Sequence, residues 1–269
     1  MIKCLRFLIG LLAAGVILVS GWHVVSYLME SHQNSKINDD LAEGAVIIRD
    51  PEPAVPEQQE SSAEKTEEEA EESKPVLQPP RTSPLEVNFQ KLWEKNGDII
   101  AWIYSDNSPI NYPIVQAKDN DYYLRRLING NYNIAGTLFA DYENAPGFTD
   151  GKTFVYGHNM KNGSMFGTLT HYRKQEYYDT HPVIWLMTPE QDYKVEVAAG
   201  FSADAQSDVY LMAESDEKTL EFAQQSIANS TFQSGIEPQL GDKWILLSTC
   251  SYETETARYV LMGRLVPFE

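Results

Sequence analysis

Hydrophobic and polar positions divide this chain into three stretches. Residues 7–29 form an apolar run without a formally charged side chain. At about 1.5 Å per helical residue the run reaches roughly 34 Å, enough to cross a hydrocarbon layer of about 30 Å. From about residue 39 to 86 apolar positions nearly vanish, with AVII at 45–48 the one exception. Beyond residue 85 the pattern turns into short apolar runs, each bounded by turn-forming residues.

Those short runs predict strands at 99–104 (IIAWIY), 111–116 (NYPIVQ), 136–141 (GTLFAD), 152–157 (KTFVYG), 183–188 (VIWLMT) and 193–201 (YKVEVAAGF). Two more flank the polar connector SYETETA, one ending in WILLSTC and the other reading RYVLMG, over 244–263. Helical spacing of Leu85, Phe89, Leu92 and Trp93 after Ser83-Pro84 predicts a capped amphipathic helix. DNDYYLRRLIN at 119–129 has helical character, and a further helix is expected over 217–230, just before the WILLSTC strand. Seven or eight short strands with two or three helices predict a mainly β domain, a mixed and mostly antiparallel closed barrel.

Charge refines the layout. Lys3 and Arg6 precede the apolar run and acidic residues follow it, so the positive-inside rule puts residues 1–6 in the cytoplasm and the chain beyond residue 29 outside. A cleaved leader would place its small residues at the end of the run, whereas Ala13-Ala14-Gly15 falls in the middle. An uncleaved transmembrane helix over 7–29 is therefore the expectation. Residues 39–86 hold 14 acidic and 4 basic side chains, a net −10 out of −18 for the whole chain. Such a segment buries too little apolar surface to offset its ordering entropy, so 30–84 is expected to be a disordered acidic tether and 85–269 one compact domain. That domain is itself acidic, which argues against nucleic acid as a partner.

Candidate chemistry gathers at the end of the chain. Cys250 closes the WILLSTC run and Arg258 opens the next one, so an antiparallel pair would bring a thiol and a guanidinium together. A lone Cys ending a strand also reads as a small buried hydrophobe, and Arg258 as a salt-bridge partner of Glu253 or Glu255. His158 weighs against the bland reading, since it sits where the apolar run FVYG gives way to a polar loop. His171 and His181 lie in polar, Tyr-rich surroundings and read as surface residues. The chain has no phosphate-binding Gly loop, no HExxH and no paired CxxC. A metal site built from His158 with Asp141 or Asp150 lacks a second His at ligand spacing, so neither a metal nor a cofactor is expected.

These residues carry a resemblance. LSTC at 247–250, YGHNM at 156–160 with GTLFADYEN before it and GSMFGTL after it, and Arg258 resemble the motifs of class B sortases, the membrane-anchored cysteine transpeptidases of Gram-positive bacteria. The resemblance covers 85–269 and extends to the anchor and tether. One departure is Leu246, where the family motif usually has Thr; that position is not a reacting group. Ser251 stands where many relatives carry an acidic residue.

The resemblance implies a barrel with an added N-terminal helix and a helix before the cysteine strand. It implies Cys250 as nucleophile, His158 as general acid and base, and Arg258 as the stabiliser of the oxyanion. Ser248 and Tyr156 would contact the substrate. That substrate would be the sorting signal of a secreted surface protein, cleaved after Thr, with the acyl group passed to an amine of a peptidoglycan precursor or of a pilin. Anchoring to the cell wall is the primary expectation. Pilin polymerisation, a cysteine peptidase on a similar barrel and a membrane-tethered binding module are the alternatives.

Overall fold

The computed structural model describes residues 2–48, 83–250 and 256–268, without the side chains of residues 2–9, 11 and 250. The chain begins with α1 (Ile2–Ala45) and β1 (Val46–Ile48), followed by β2 (Leu85–Val87), α2 (Phe89–Trp93), β3 (Ile99–Tyr104) and β4 (Asn111–Val115). Next come β5 (Leu138–Ala140), β6 (Lys152–Tyr156), α3 (Gln175–Thr180), β7 (Val183–Met187) and β8 (Asp192–Asp204). The last elements are α4 (Asp216–Ala228), β9 (Trp244–Cys250) and β10 (Ala257–Pro267).

Eight strands close a barrel in the order β10-β8-β7-β3-β4-β5-β6-β9. The β4–β5 and β6–β9 pairs are parallel and the other pairs are antiparallel, as a mixed, mostly antiparallel barrel requires. Alternation decides what each strand buries. Ile103, Ile114, Leu138, Val155, Leu247 and Leu261 meet in the interior cluster. On the opposite face Phe154, Leu246 and Val260 pack with Ala223 of α4. The predicted helix before the cysteine strand is α4, and Ser215 caps it by accepting from the Lys218 amide at 3.3 Å.

Local readings of sequence are corrected at three places. The helix expected from Leu85 begins only at Phe89, because Leu85–Val87 is drawn into an antiparallel ladder with Val46–Ile48 and Asn88 takes over as the cap. The helical character of 119–129 reduces to a single 3-10 turn at Tyr123–Arg125, after which Arg126 bridges to Tyr132 and Gly130 turns the chain at φ 81°. The third correction concerns the tether. Residues 30–48 are ordered, as the continuation of α1 and as β1; residues 49–82, the rest of the expected tether, lie outside the described residues.

The ordering of 30–45 has a physical cause that periodicity exposes. Tyr27, Glu30, Ser31, Asn34, Ile37, Asn38, Leu41 and Ala45 recur at helical spacing and form the covered stripe of α1. Leu41 and Ala45 join the cluster of Leu92, Trp102 and Val115, and Tyr27 packs on the interior cluster. Asn34 Nδ2 donates to the Gly136 carbonyl at 3.2 Å, Asn133 Nδ2 to the Glu30 carbonyl at 2.9 Å, and the Ile134 amide to Glu30 Oε2 at 2.8 Å. Glu30, Ser31, Asn34 and Asn38 on this stripe are polar, so a hydropathy count misses it.

Candidate active site

The site grows out of strand register. In the parallel β6–β9 pair Tyr156 is opposite Ser248, and the Gly157 amide donates to the Ser248 carbonyl at 3.1 Å. Two residues past that pair come His158, just beyond the end of β6, and Cys250, the last residue of β9. The antiparallel β9–β10 ladder then sets Arg258 opposite Cys250. The backbones of Cys250 and Arg258 are thus paired, and that of His158, about ninety residues upstream, lies at the same end of the three adjacent strands. The expected acidic partners of Arg258, Glu253 and Glu255, lie outside the described residues.

Gly157 is required where it stands. A Cβ there would run into the Leu138 side chain and lie 2.7 Å from Phe166 Cδ2. The missing side chain lets β6 pass tightly over the barrel interior before His158 emerges.

His158 is half-buried and its Nε2 lies 2.8 Å from the Leu124 carbonyl oxygen. A carbonyl only accepts, so in the neutral ring Nε2 carries the hydrogen and Nδ1 is the basic nitrogen. Burial holds the imidazole pKa below its usual value; the Leu124 carbonyl opposes that shift, and the charges of Arg125 and Arg258 add to it. The Leu124 carbonyl is itself fixed by close packing. Gly136, at φ 58°, comes so near that a Cβ would stand 2.5 Å from that oxygen.

Asp141 ties the two walls of the site together. Its Oδ2 accepts from Tyr156 Oη at 2.8 Å and from Asn120 Nδ2 at 2.9 Å, and its Oδ1 from the Glu143 amide at 3.0 Å. Tyr156 stands two residues before His158, and Asn120 opens the segment that carries Leu124. Burial, the Asp141 charge and its hydrogen bond push the Tyr156 phenol well above its usual value, so it stays protonated and donates. Asp141 is therefore engaged by side chains, and Asp150 likewise accepts from Asn144 Nδ2 and the Ala145 amide, both at 2.7 Å.

Ser248 is buried, at 2 % exposure, and its Oγ lies 2.7 Å from Tyr210 Oη. The Tyr210 ring is 6.2 Å from Tyr156 and 5.8 Å from Phe154. Ser248 thus meets a tyrosine from the loop after β8, and Tyr210 is the half-buried group that faces outward. Thr249 is buried, as its opposite facing along the strand predicts. Arg258 Nη1 donates to the Ala257 carbonyl at 3.1 Å. Its charge reaches Asp204, whose carboxyl is held low first by Thr256 Oγ1, then by the Gln206 amide, and to a lesser degree by Arg258.

Sequence reasoning missed three neighbours of the candidate residues: Tyr210, Asn120 and the Leu124 carbonyl. Tyr210 and the Leu124 carbonyl leave no trace in a linear pattern, since long-range folding brings them in. Asp141 was legible as an acidic residue ending the GTLFAD strand, where it reads as a metal-ligand candidate; the structure shows instead what it binds.

Comparisons with known proteins place the chain among the following relatives. The Sortase domain family profile matches residues 103–266. Sortase B of Listeria monocytogenes is 31% identical over 261 residues, covering 95% of this chain and 94% of that protein. The Staphylococcus aureus sortase B–substrate complex superposes with a TM-score of 0.64 at 26% identity, covering 67% of this chain and 85% of that one. Sortase B from B. anthracis in complex with AAEK1 gives 0.61 at 35% identity, over 66% of this chain and 84% of that one.

Proposed function

The chain belongs to the sortase family, class B, and from that premise we propose how its residues perform the cysteine transpeptidation. Cys250 supplies the nucleophile. A thiol with a pKa near 8.5 is only a few per cent thiolate at neutral pH, so its proton passes to His158 Nδ1 as attack begins. The thiolate adds to the Thr carbonyl of a sorting signal, and Arg258 holds the developing oxyanion with its fixed positive fork. His158, now imidazolium, gives its proton to the departing amine and the acyl group remains on sulfur as a thioester. An incoming amine then loses a proton to His158, attacks the thioester, and leaves with the acyl group while the thiol is restored.

The observation that supports this reading is the register: Arg258 is paired with Cys250, and His158 and Cys250 each follow the Tyr156–Ser248 pair by two residues. Tyr156 and Tyr210 line the wall along which the peptide would lie, with Ser248 holding Tyr210 from behind. That the Staphylococcus aureus relative was solved with a substrate supports a peptide ligand of this kind. The acceptor is an amine of a peptidoglycan precursor, which makes the reaction the anchoring of a surface protein to the cell wall.

The apolar run that begins at residue 7 supplies the membrane anchor, with the N-terminus in the cytoplasm after the Lys3 and Arg6 charges and the barrel outside. The long apolar helix supports this placement. Incubating the full chain with sorting-signal peptides and triglycine tests the activity. A ligated product in excess of hydrolysis is expected. Cleavage indifferent to added amine would show a peptidase instead.

A further inference from the structure

Resting on the membrane anchoring proposed above, a question of height can be answered from α1. The helix is continuous from Ile2 to Ala45, and its contact with the barrel begins at Tyr27, inside the segment that sequence assigns to the membrane. A residue packed on the barrel is not in lipid, so the span is residues 7–26, about 30 Å of helix and one hydrocarbon thickness. Glu30 follows Ser26 by four residues, or about 6 Å of rise, and the headgroup layer of one leaflet is itself roughly 5–8 Å deep. Glu30 is where the barrel is fastened, through the Asn133 side chain and the Ile134 amide, and Ser31 Oγ accepts from Asn162 Nδ2 at 2.7 Å.

The surface brought to that height has the composition of a membrane interface. The turn from Tyr122 to Tyr132 exposes Tyr132 at 63%, Tyr122 at 41% and Leu124 at 38%. Arg125 and Arg126 are exposed between them, with the Arg126 guanidinium 4.8 Å from the Tyr122 ring centre, and Lys161 is exposed beside Asn162. Tyrosines belong at headgroup depth, and basic side chains there meet anionic lipid even though the protein as a whole is acidic.

We propose that residues 122–134 of the barrel lie in the headgroup layer of an anionic membrane, so that the catalytic cleft opens at the lipid surface. Leu124, whose carbonyl holds the His158 ring, belongs to this turn. The imidazole therefore hangs from the membrane-facing loop, within reach of substrates retained in the same bilayer.

The test uses the full chain in nanodiscs of anionic lipid, with Cys4→Ser and Cys250→Ala and a single label site at Asn129→Cys. Asn131→Cys serves as an independent second site. A fluorophore there is expected to be quenched by headgroup-nitroxide lipid at least threefold more than one at Glu190→Cys, which lies near Met187 at the far end of α1. Arg126→Glu combined with Lys161→Glu is expected to reduce that difference in anionic but not in neutral nanodiscs. Quenching at residues 129 and 131 no greater than at 190 overturns the proposal while leaving the anchor intact. A chain that does not co-purify with the nanodiscs overturns the anchor itself, and this inference with it.

Discussion

Arg258 and Cys250 are eight residues apart in sequence and directly paired across the antiparallel ladder of β9 and β10. The pairing fixes where the arginine backbone sits relative to the proposed nucleophile, and a planar fork of five donors is what an oxyanion needs. Arg258→Lys keeps the charge and loses the fork. Its kcat is expected to fall by about two orders of magnitude, as for removal of one oxyanion donor, with the thermal midpoint unchanged. A rate near wild type would show that charge alone suffices.

Asp141 holds Tyr156 and Asn120 with one carboxylate oxygen. Asp141→Asn keeps the shape and removes the charge and one acceptor direction. We expect kcat/KM to fall about tenfold, roughly 1.4 kcal/mol, while alkylation of Cys250 by a small thiol reagent keeps its rate. Stability should drop by about 2 kcal/mol, the scale of a lost charge-assisted bond at a buried site. Unchanged kcat/KM would show that the two walls do not need this tie.

His158 is kept neutral by burial first and by the Arg125 and Arg258 charges after it. Its titration in the folded protein, followed by NMR of the labelled imidazole, is expected below pH 6.5. Because the folded pKa is depressed, the unfolded chain binds the proton first. The stability that neutral His158 contributes is therefore complete above about pH 6.5 and is lost as pH falls toward the folded value. Arg125→Gln should move the midpoint upward. A wild-type midpoint above 6.5 would contradict the account of its surroundings.

Lys152 is a buried cation on β6, 5 % exposed, with Nζ donating to the Val209 carbonyl at 3.3 Å and standing 4.2 Å from the Phe222 ring centre. Burial lowers its pKa from 10.5 to about 8. Between these two values the unfolded chain carries a proton that the folded one lacks, so stability is expected to rise from about pH 8 to about pH 10.5. Other groups titrate in that window, so the comparison is with Lys152→Met, in which the rise should be smaller. Denaturant midpoints across that range check it; equal slopes in the two proteins would show that Lys152 is solvated.

Much of this architecture is legible in sequence because strands announce themselves by alternation and bounding turns. The runs at 99–104, 111–116 and 183–188 need almost no adjustment, and the loop between WILLSTC and RYVLMG places Cys250 and Arg258 together before any coordinates. Legibility fails where one segment's structure depends on another. Leu85–Val87 pairs as a strand because Val46–Ile48 is there to receive it, and no local propensity contains that. The stripe from Tyr27 to Ala45 escaped for a related reason, since its Asn and Glu groups are apolar in no scale, and Asn34 and Glu30 are covered because a barrel carbonyl and a barrel amide satisfy them. In the site, residue types and order along the chain offered Cys250, His158 and Arg258 as candidates, whereas the groups that hold His158 and Tyr156 in place, a backbone carbonyl and a carboxylate from elsewhere in the barrel, came only with the fold.

The central claim is that acyl transfer passes through Cys250. Intact-mass measurement of the full chain in detergent, mixed with sorting-signal peptides and quenched in acid, tests it most directly. The account predicts a covalent adduct equal to the peptide fragment ending in Thr, discharged by triglycine to a ligated product and absent in Cys250→Ala. An adduct that persists in Cys250→Ala, or ligation by that variant at the wild-type rate, would contradict it.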